Sequence, residues 1–91
     1  MQSITLDITP FAEKISLHRY LKEQLDFPFY YGTNLDALFD ELTSITDALL
    51  ITLRYPKVPQ GSMEDYLPPL LAVFRDAVHD NYNLHVVFET V

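Results

Sequence analysis

The chain has 91 residues, a length that suits one domain spanning residues 1–91 rather than two. With 48% hydrophobic and 21% charged residues, its composition is that of a globular protein, neither disordered nor membrane-spanning. It contains no cysteine, which excludes disulfides and cysteine-based zinc sites. No basic-then-apolar signal follows Met1, so we expect a cytoplasmic protein that does not enter the membrane.

The net charge of −7 argues against nucleic acid or an acidic membrane surface as the direct ligand. The charge is also unevenly distributed, because the segment 23–53 contains no Lys or Arg. Its acidic residues are Glu23, Asp26, Asp36, Asp40, Glu41 and Asp47. Solubility alone explains many acidic proteins, and a basic partner is the alternative explanation.

The first half of the chain predicts one strand and two helices. Polar and apolar residues alternate over residues 3–8, which is typical of a strand with one wet face. Apolar residues then recur at helical spacing over 17–25, and Pro28 is expected to close this helix. A second helix is predicted to start after the N-cap Asn34 and to run to about Thr46.

The second half predicts two further strands and a third helix. Residues 49–55 and 84–89 alternate as strands do. The stretch 56–63, with two prolines and a glycine, is the segment most expected to be mobile. A helix is predicted from about Pro68 to His79, with proline tolerated in its first turn. Its apolar face is expected to consist of Leu70, Leu71, Phe74 and Val78.

Strands separated by helices indicate crossover connections and therefore a parallel sheet. All three strands keep a partly polar face, which strands covered on both sides usually lack. The predicted class is α/β, with two layers: a three-stranded parallel sheet in the order 1-2-3 and all helices on one face.

The second helix has an acidic face on a wheel of about 100° per residue. The residues expected to face the core are Leu35, Leu38, Leu42 and Ile45, and those on the solvent side are Asp36, Asp40 and Asp47. Phe39 and Thr43 lie at the border. The helix dipole stabilises Asp36, whereas Asp40 lies beyond its reach and repels Asp36 by a few tenths of a kcal/mol, roughly. This placement favours a role in binding, although an ordinary solvated face is also consistent with it.

Two tyrosines immediately precede this helix. Tyr30 and Tyr31 adjoin Gly32, and exposed tyrosine beside fixed carboxylates is typical of binding surfaces. We expect one of the two to be exposed and the other to belong to the core.

The motifs of these segments resemble those of the barstar family. The resemblance is carried by Leu17–Leu25, Pro28 and the string Tyr30–Asp40, which reads YYGTNLDALFD, with a second match at Val73–Ala77. It covers nearly the whole chain and is weakest between Pro56 and Leu67. It implies the same three-stranded fold and inhibition of a barnase-type ribonuclease by an acidic helix and the preceding loop, which block the basic active site by mimicking phosphate. The implied partner is that basic ribonuclease in a 1:1 complex, and the free protein is expected to be a monomer.

The resemblance also implies a set of partner-binding residues. By position these are Tyr30, Asn34, Leu35, Asp36, Phe39, Asp40, Thr43, Ser44, Ile45 and, on the last helix, Asp76. The chain departs from the family at several of them. Phe39 and Ile45 stand where the family has tryptophans, Ser44 where it has glycine, and Asp76 where it has the longer glutamate.

Two other interpretations remain open. An enzyme is not favoured, since His18, His79 and His85 are scattered and expected to lie at the surface, and no catalytic motif is present. We predict no catalytic residue, cofactor or metal site, although the carboxylates of Asp36 and Asp40 would suit a hard divalent cation. The other interpretation is a non-inhibitory acidic module that binds a basic partner other than a ribonuclease.

Overall fold

A computed structural model describes all residues from 1 to 91 and contains three strands and three helices. In chain order the elements are β1 (Gln2–Asp7), α1 (Lys14–Gln24), α2 (Leu35–Thr43), β2 (Leu49–Tyr55), α3 (Met63–Asp80) and β3 (Leu84–Thr90). None of the helices is both long and apolar enough to cross a membrane.

The strands form one parallel sheet in the order β1-β2-β3, which confirms the predicted α/β class and topology. In its register Leu6 pairs with Leu53, and Leu53 pairs with Phe88. Leu6 and Leu53 are fully buried, so this row of side chains faces the helices as the alternation predicts. The core consists of Leu6, Ile8, Leu17, Leu21, Phe27, Tyr31, Leu38, Leu42, Ile51, Leu53, Met63, Leu67, Leu70, Phe74, Ala77 and Leu84.

The opposite face of the sheet is polar. Asp7, Arg54 and Glu89 lie in one row across the three strands. The Nε atom of Arg54 lies 2.7 Å from a carboxylate oxygen of Glu89, and its Nη1 lies 3.9 Å from Asp7. The ion pairs of Arg54 thus lie on the sheet face away from the helices, and the candidate site lies in the helical layer.

Helix α1 ends earlier than predicted, and Pro28 does not terminate it. Asp26 adopts a left-handed conformation with φ 54°, and the Phe27 N–H donates to the carbonyl of Lys22 at 3.0 Å. This pattern is a Schellman C-cap, which reverses the chain and delivers Phe27 into the core.

The bounds of α2 and α3 also differ from the predicted ones. Helix α2 ends at Thr43, three residues before the predicted Thr46, where the Ser44 N–H bonds the Glu41 carbonyl and Asn81 takes the carbonyls of Leu42 and Ile45. Helix α3 begins at Met63, five residues before the predicted Pro68, so its prolines lie in the second turn rather than the first. Its buried stripe is Met63, Leu67, Leu70, Phe74 and Ala77, while Leu71 and Val78 are only partly buried.

The early start of α3 has a tertiary cause. Gly61 has φ 59°, and a Cβ at this position would lie 2.6 Å from the carbonyl oxygen of Ala12. The backbone N–H and hydroxyl of Ser62 both donate to that same carbonyl, each at 3.0 Å. The end of the segment 56–63, predicted to be mobile, is therefore fastened to the connection between β1 and α1.

Candidate partner-binding face

Helix α2 is stabilised at both ends by its own side chains. The Asn34 side-chain oxygen accepts a hydrogen bond from the Ala37 N–H at 2.7 Å, which confirms the predicted N-cap. At the other end the hydroxyls of Thr43 and Ser44 donate to the carbonyls of Phe39 and Asp40, at 2.8 and 2.6 Å respectively. The Thr43 hydroxyl also lies 3.2 Å from the Asp40 carbonyl, which is one of those that a helix end otherwise leaves to water.

The exposed side of α2 carries two carboxylates that make no ion pair. Asp36 and Asp40 are both exposed, and the ion pairs of the molecule are those of Arg54 on the other side of the sheet. Asp47, predicted on the same helical face, lies in a bend beyond the end of the helix, so the wheel does not apply to it. The acidic face of α2 is therefore a pair of carboxylates, not three.

The other predicted partner-binding residues lie along α2, just after it and on α3. Leu35, Phe39 and Thr43 are partly buried along the border of α2, and Ser44 is exposed at its end. Ile45 lies beyond the helix and packs partly against the core. Asp76 is exposed on α3, the helix that packs against α2.

The two tyrosines before α2 have opposite environments, as predicted. Tyr30 is 73% exposed, whereas Tyr31 is 7% exposed and belongs to the core. The Tyr31 N–H donates to the carbonyl of Pro28 at 3.0 Å, which closes a turn with Phe29 and Tyr30 at its centre. We name these two residues the aromatic turn.

His18 is fully buried, contrary to the prediction that all three histidines lie at the surface. Its Nδ1 lies 2.7 Å from the hydroxyl oxygen of Tyr31, and its Nε2 lies 2.6 Å from that of Tyr66. A neutral imidazole donates through one nitrogen and accepts through the other, so both tyrosines are satisfied. Burial lowers the pKa of His18 below 6.5 and raises the pKa of both tyrosine hydroxyls.

The sequence offered a partial signal for this network. His18 adjoins the buried Leu17 and stands three residues before the buried Leu21, on the flank of the helix face that packs into the core. Its hydrogen-bond partners are 13 and 48 residues away in the chain, so only the folded structure brings them together.

The residue that holds the C-terminal end of α2 was not predicted from the sequence. Asn81 is 6% exposed, and its side-chain amide donates to the carbonyls of Leu42 and Ile45 at 3.0 and 2.9 Å. Its side-chain oxygen accepts the Asn83 N–H at 3.1 Å. Asn81 thereby joins the end of α3 to the end of α2 and positions the segment that contains Ser44 and Ile45.

The chemistry of this face is that of an anion on a rigid support. An ionised carboxylate accepts hydrogen bonds and donates none. The hydrogen bonds that it accepts are strongest when the donor is a guanidinium or ammonium group. No group of three or more His, Asp or Glu side chains comes close enough together to hold a metal ion. The two surface clefts lie elsewhere, one between β1 and the end of α1 and the other beside α1.

An exposed acidic helix beside exposed aromatic side chains on a small α/β fold is typical of protein-binding domains. Comparison with known proteins identifies the family to which this domain belongs. The family profile described as "Barstar (barnase inhibitor)" matches residues 1–90, and the chain belongs to the barstar family. Members of this family are inhibitors, not enzymes.

A relative from Bacillus subtilis (strain 168) is similar over most of its length. It is 38% identical over 78 residues, which cover 85% of this chain and 86% of the relative. Its name is "Putative ribonuclease inhibitor YrdF".

Proposed function

We propose that this protein inhibits a barnase-type ribonuclease by occupying its basic active site with α2 and with Tyr30 of the preceding loop. The observation that carries the proposal is the exposed, unpaired carboxylate pair of Asp36 and Asp40 on a helix held at both ends. Membership of the barstar family and the relative from Bacillus subtilis support a ribonuclease as the partner.

The physical mechanism is mimicry of the substrate phosphate. A nuclease active site holds cationic groups where a phosphate binds, and fixed carboxylates accept charge-assisted hydrogen bonds from such groups. Asp40 is the central mimic, with Asp36 and Asp76 on either side of it. Because α2 is already capped at Asn34 and closed at Ser44, little ordering accompanies binding, which favours high affinity.

The complex is proposed to contain one copy of each protein. The free protein is a monomer in this proposal, since net charge of −7 opposes self-association through the acidic face. The inhibitor acts in the cytoplasm, where it protects the cell that produces the nuclease.

The test is inhibition of RNA cleavage by purified barnase. Adding the wild-type protein should abolish cleavage at a 1:1 ratio, and Asp40→Ala should require a large excess. The matched control is Asp80→Ala, an exposed aspartate at the last residue of α3, which should inhibit as the wild type does. Binding to a basic protein without loss of RNA cleavage would instead favour a non-inhibitory interaction module.

A further inference from the structure

The most exposed aromatic side chain near α2 has no role in folding that the structure shows. Phe29 is 88% exposed, and its ring contacts the ring of Tyr30, with centroids 5.5 Å apart and an edge-to-face angle of 84°. A phenyl ring left in water forfeits the free energy that burial would contribute. An exposed Phe adjoining an exposed Tyr therefore suggests a surface that becomes buried on binding.

The structure holds this pair in a fixed position. Phe27 and Tyr31, on either side of the aromatic turn, are both core residues with 8% and 7% exposure. The turn is closed by the hydrogen bond from the Tyr31 N–H to the Pro28 carbonyl, and Lys22 Nζ donates to the Phe29 carbonyl at 3.2 Å. Anchored at both sides, the aromatic turn loses little conformational freedom when it meets a partner.

The aromatic turn and the first turn of α2 adjoin one another. A Cβ at Gly32, which lies between them, would be in ordinary van der Waals contact with Asn34 Nδ2 at 3.4 Å and with the Ala37 Cβ at 3.6 Å. Asp36 is the neighbour of Ala37 on that first turn. A partner that covers the carboxylates therefore meets the aromatic turn at the edge of the same surface.

We propose that Phe29 is a partner-contacting residue that packs against an apolar surface of the ribonuclease beside its basic active site. The inference rests on the proposed function and adds a second kind of contact to it. The carboxylates recognise positive charge, which all nuclease active sites of this type share, whereas a phenyl ring recognises an apolar surface of matching shape. Phe29 thus selects among nucleases that the acidic face alone would not distinguish.

The experiment measures association and dissociation of barnase with five forms of the protein, Asp40→Ala among them, at low and at high ionic strength. Phe29→Ala should raise the dissociation rate roughly tenfold or more, because it removes a large apolar contact. The ratio of the Phe29→Ala dissociation rate to the wild-type rate should be the same at both salt concentrations, since the contact is uncharged. Phe29→Leu keeps a large apolar side chain and should therefore retain most of the wild-type affinity. Val87→Ala, an exposed apolar residue on the uncovered face of the sheet, is the control and should not change either rate.

Several outcomes would overturn the inference. If Phe29→Ala dissociates at the wild-type rate while Asp40→Ala fails to bind, the role of Phe29 is contradicted and the proposed function stands. If the wild type neither binds nor inhibits barnase, both the role of Phe29 and the proposed function are contradicted. Sedimentation could show that the wild type is a homodimer and that Phe29→Ala is a monomer. A second copy of this chain would then cover the aromatic turn, which also overturns the inference.

Discussion

The Nδ1 atom of His18 lies 2.7 Å from the hydroxyl oxygen of Tyr31, so a buried histidine of α1 positions the residue that closes the aromatic turn. The other ring nitrogen binds Tyr66 of α3, over whose ring Lys14 Nζ lies at 5.0 Å. The candidate site thus depends on a hydrogen-bonded network beneath it that connects α1, the turn and α3.

The network predicts a dependence of stability on pH. The pKa of His18 is lowered by burial, so below 6.5 the unfolded chain binds a proton that the folded chain excludes. The contribution of His18 to the free energy of unfolding should be fully present above pH 6.5. It should decline as the pH falls toward the lowered pKa of the folded state. The other groups with shifted pKa values, Asp7, Tyr31 and Tyr66, titrate outside this range.

The measurement is a series of urea melts between pH 5 and 8 for the wild type and His18→Gln. At pH 8 the variant should lose about 1–3 kcal/mol, since it leaves a buried hydroxyl poorly satisfied, and its stability should vary less with pH. His85→Gln, at an exposed position on the open sheet face, is the control. Equal pH profiles for His18→Gln and the wild type would contradict this role of the imidazole.

Replacement of Asn81 should affect both stability and binding. Asn81→Ala removes the donors to the carbonyls of Leu42 and Ile45 and should lower the free energy of unfolding by about 1–3 kcal/mol. It should also weaken barnase binding by the folded fraction, because the end of α2 is no longer held. Asn83→Ala keeps the backbone N–H that bonds Asn81 and should change neither property. A stability loss with unaltered binding would show that the end of α2 does not contribute to the interface.

Asp40 and Leu38 should separate binding from folding. Asp40→Ala relieves the repulsion from Asp36 and improves helix propensity, so the free protein should be equally stable or more stable by a few tenths of a kcal/mol, roughly. The backbone carbonyl that accepts from Ser44 is retained. The same change should weaken nuclease binding by more than about 2 kcal/mol, because it leaves cationic groups of the partner buried and unpaired.

Leu38→Ala should behave in the opposite way. Leu38 is fully buried, and its truncation should cost about 2–5 kcal/mol of folding stability. Denaturant melts and a binding titration on both variants decide the matter. If Asp40→Ala unfolded the domain and left the affinity of the folded fraction unchanged, the carboxylate would be structural.

The rate of association should depend strongly on salt. Asp36, Asp40 and Asp76 are exposed and make no ion pair within the chain, so their field reaches a basic partner through solvent. Stopped-flow mixing with barnase should show an association rate that falls steeply as the ionic strength rises through the physiological range. A rate indifferent to salt would mean that another surface docks first.

Local patterns in the sequence were sufficient for the architecture. The alternation in three segments and the helical spacing between them predicted the parallel sheet, its order and the polar outer face, because strand and helix periodicity follow from backbone geometry alone. The cap at Asn34 was predictable for the same reason, since its hydrogen bond to Ala37 spans three residues. The exposure of Asp36 and Asp40 followed once the core face of α2 was known.

The tertiary structure alone decided which aromatic and polar groups are buried. Phe27 and Phe29 are indistinguishable by pattern, yet Phe27 packs into the core and Phe29 stays exposed. His18 becomes a core residue because Tyr31 and Tyr66 supply partners for both ring nitrogens. Likewise α3 starts early because Ser62 meets Ala12, 50 residues away. The contacts of His18 and Ser62 join segments distant in the chain, and no local periodicity encodes them.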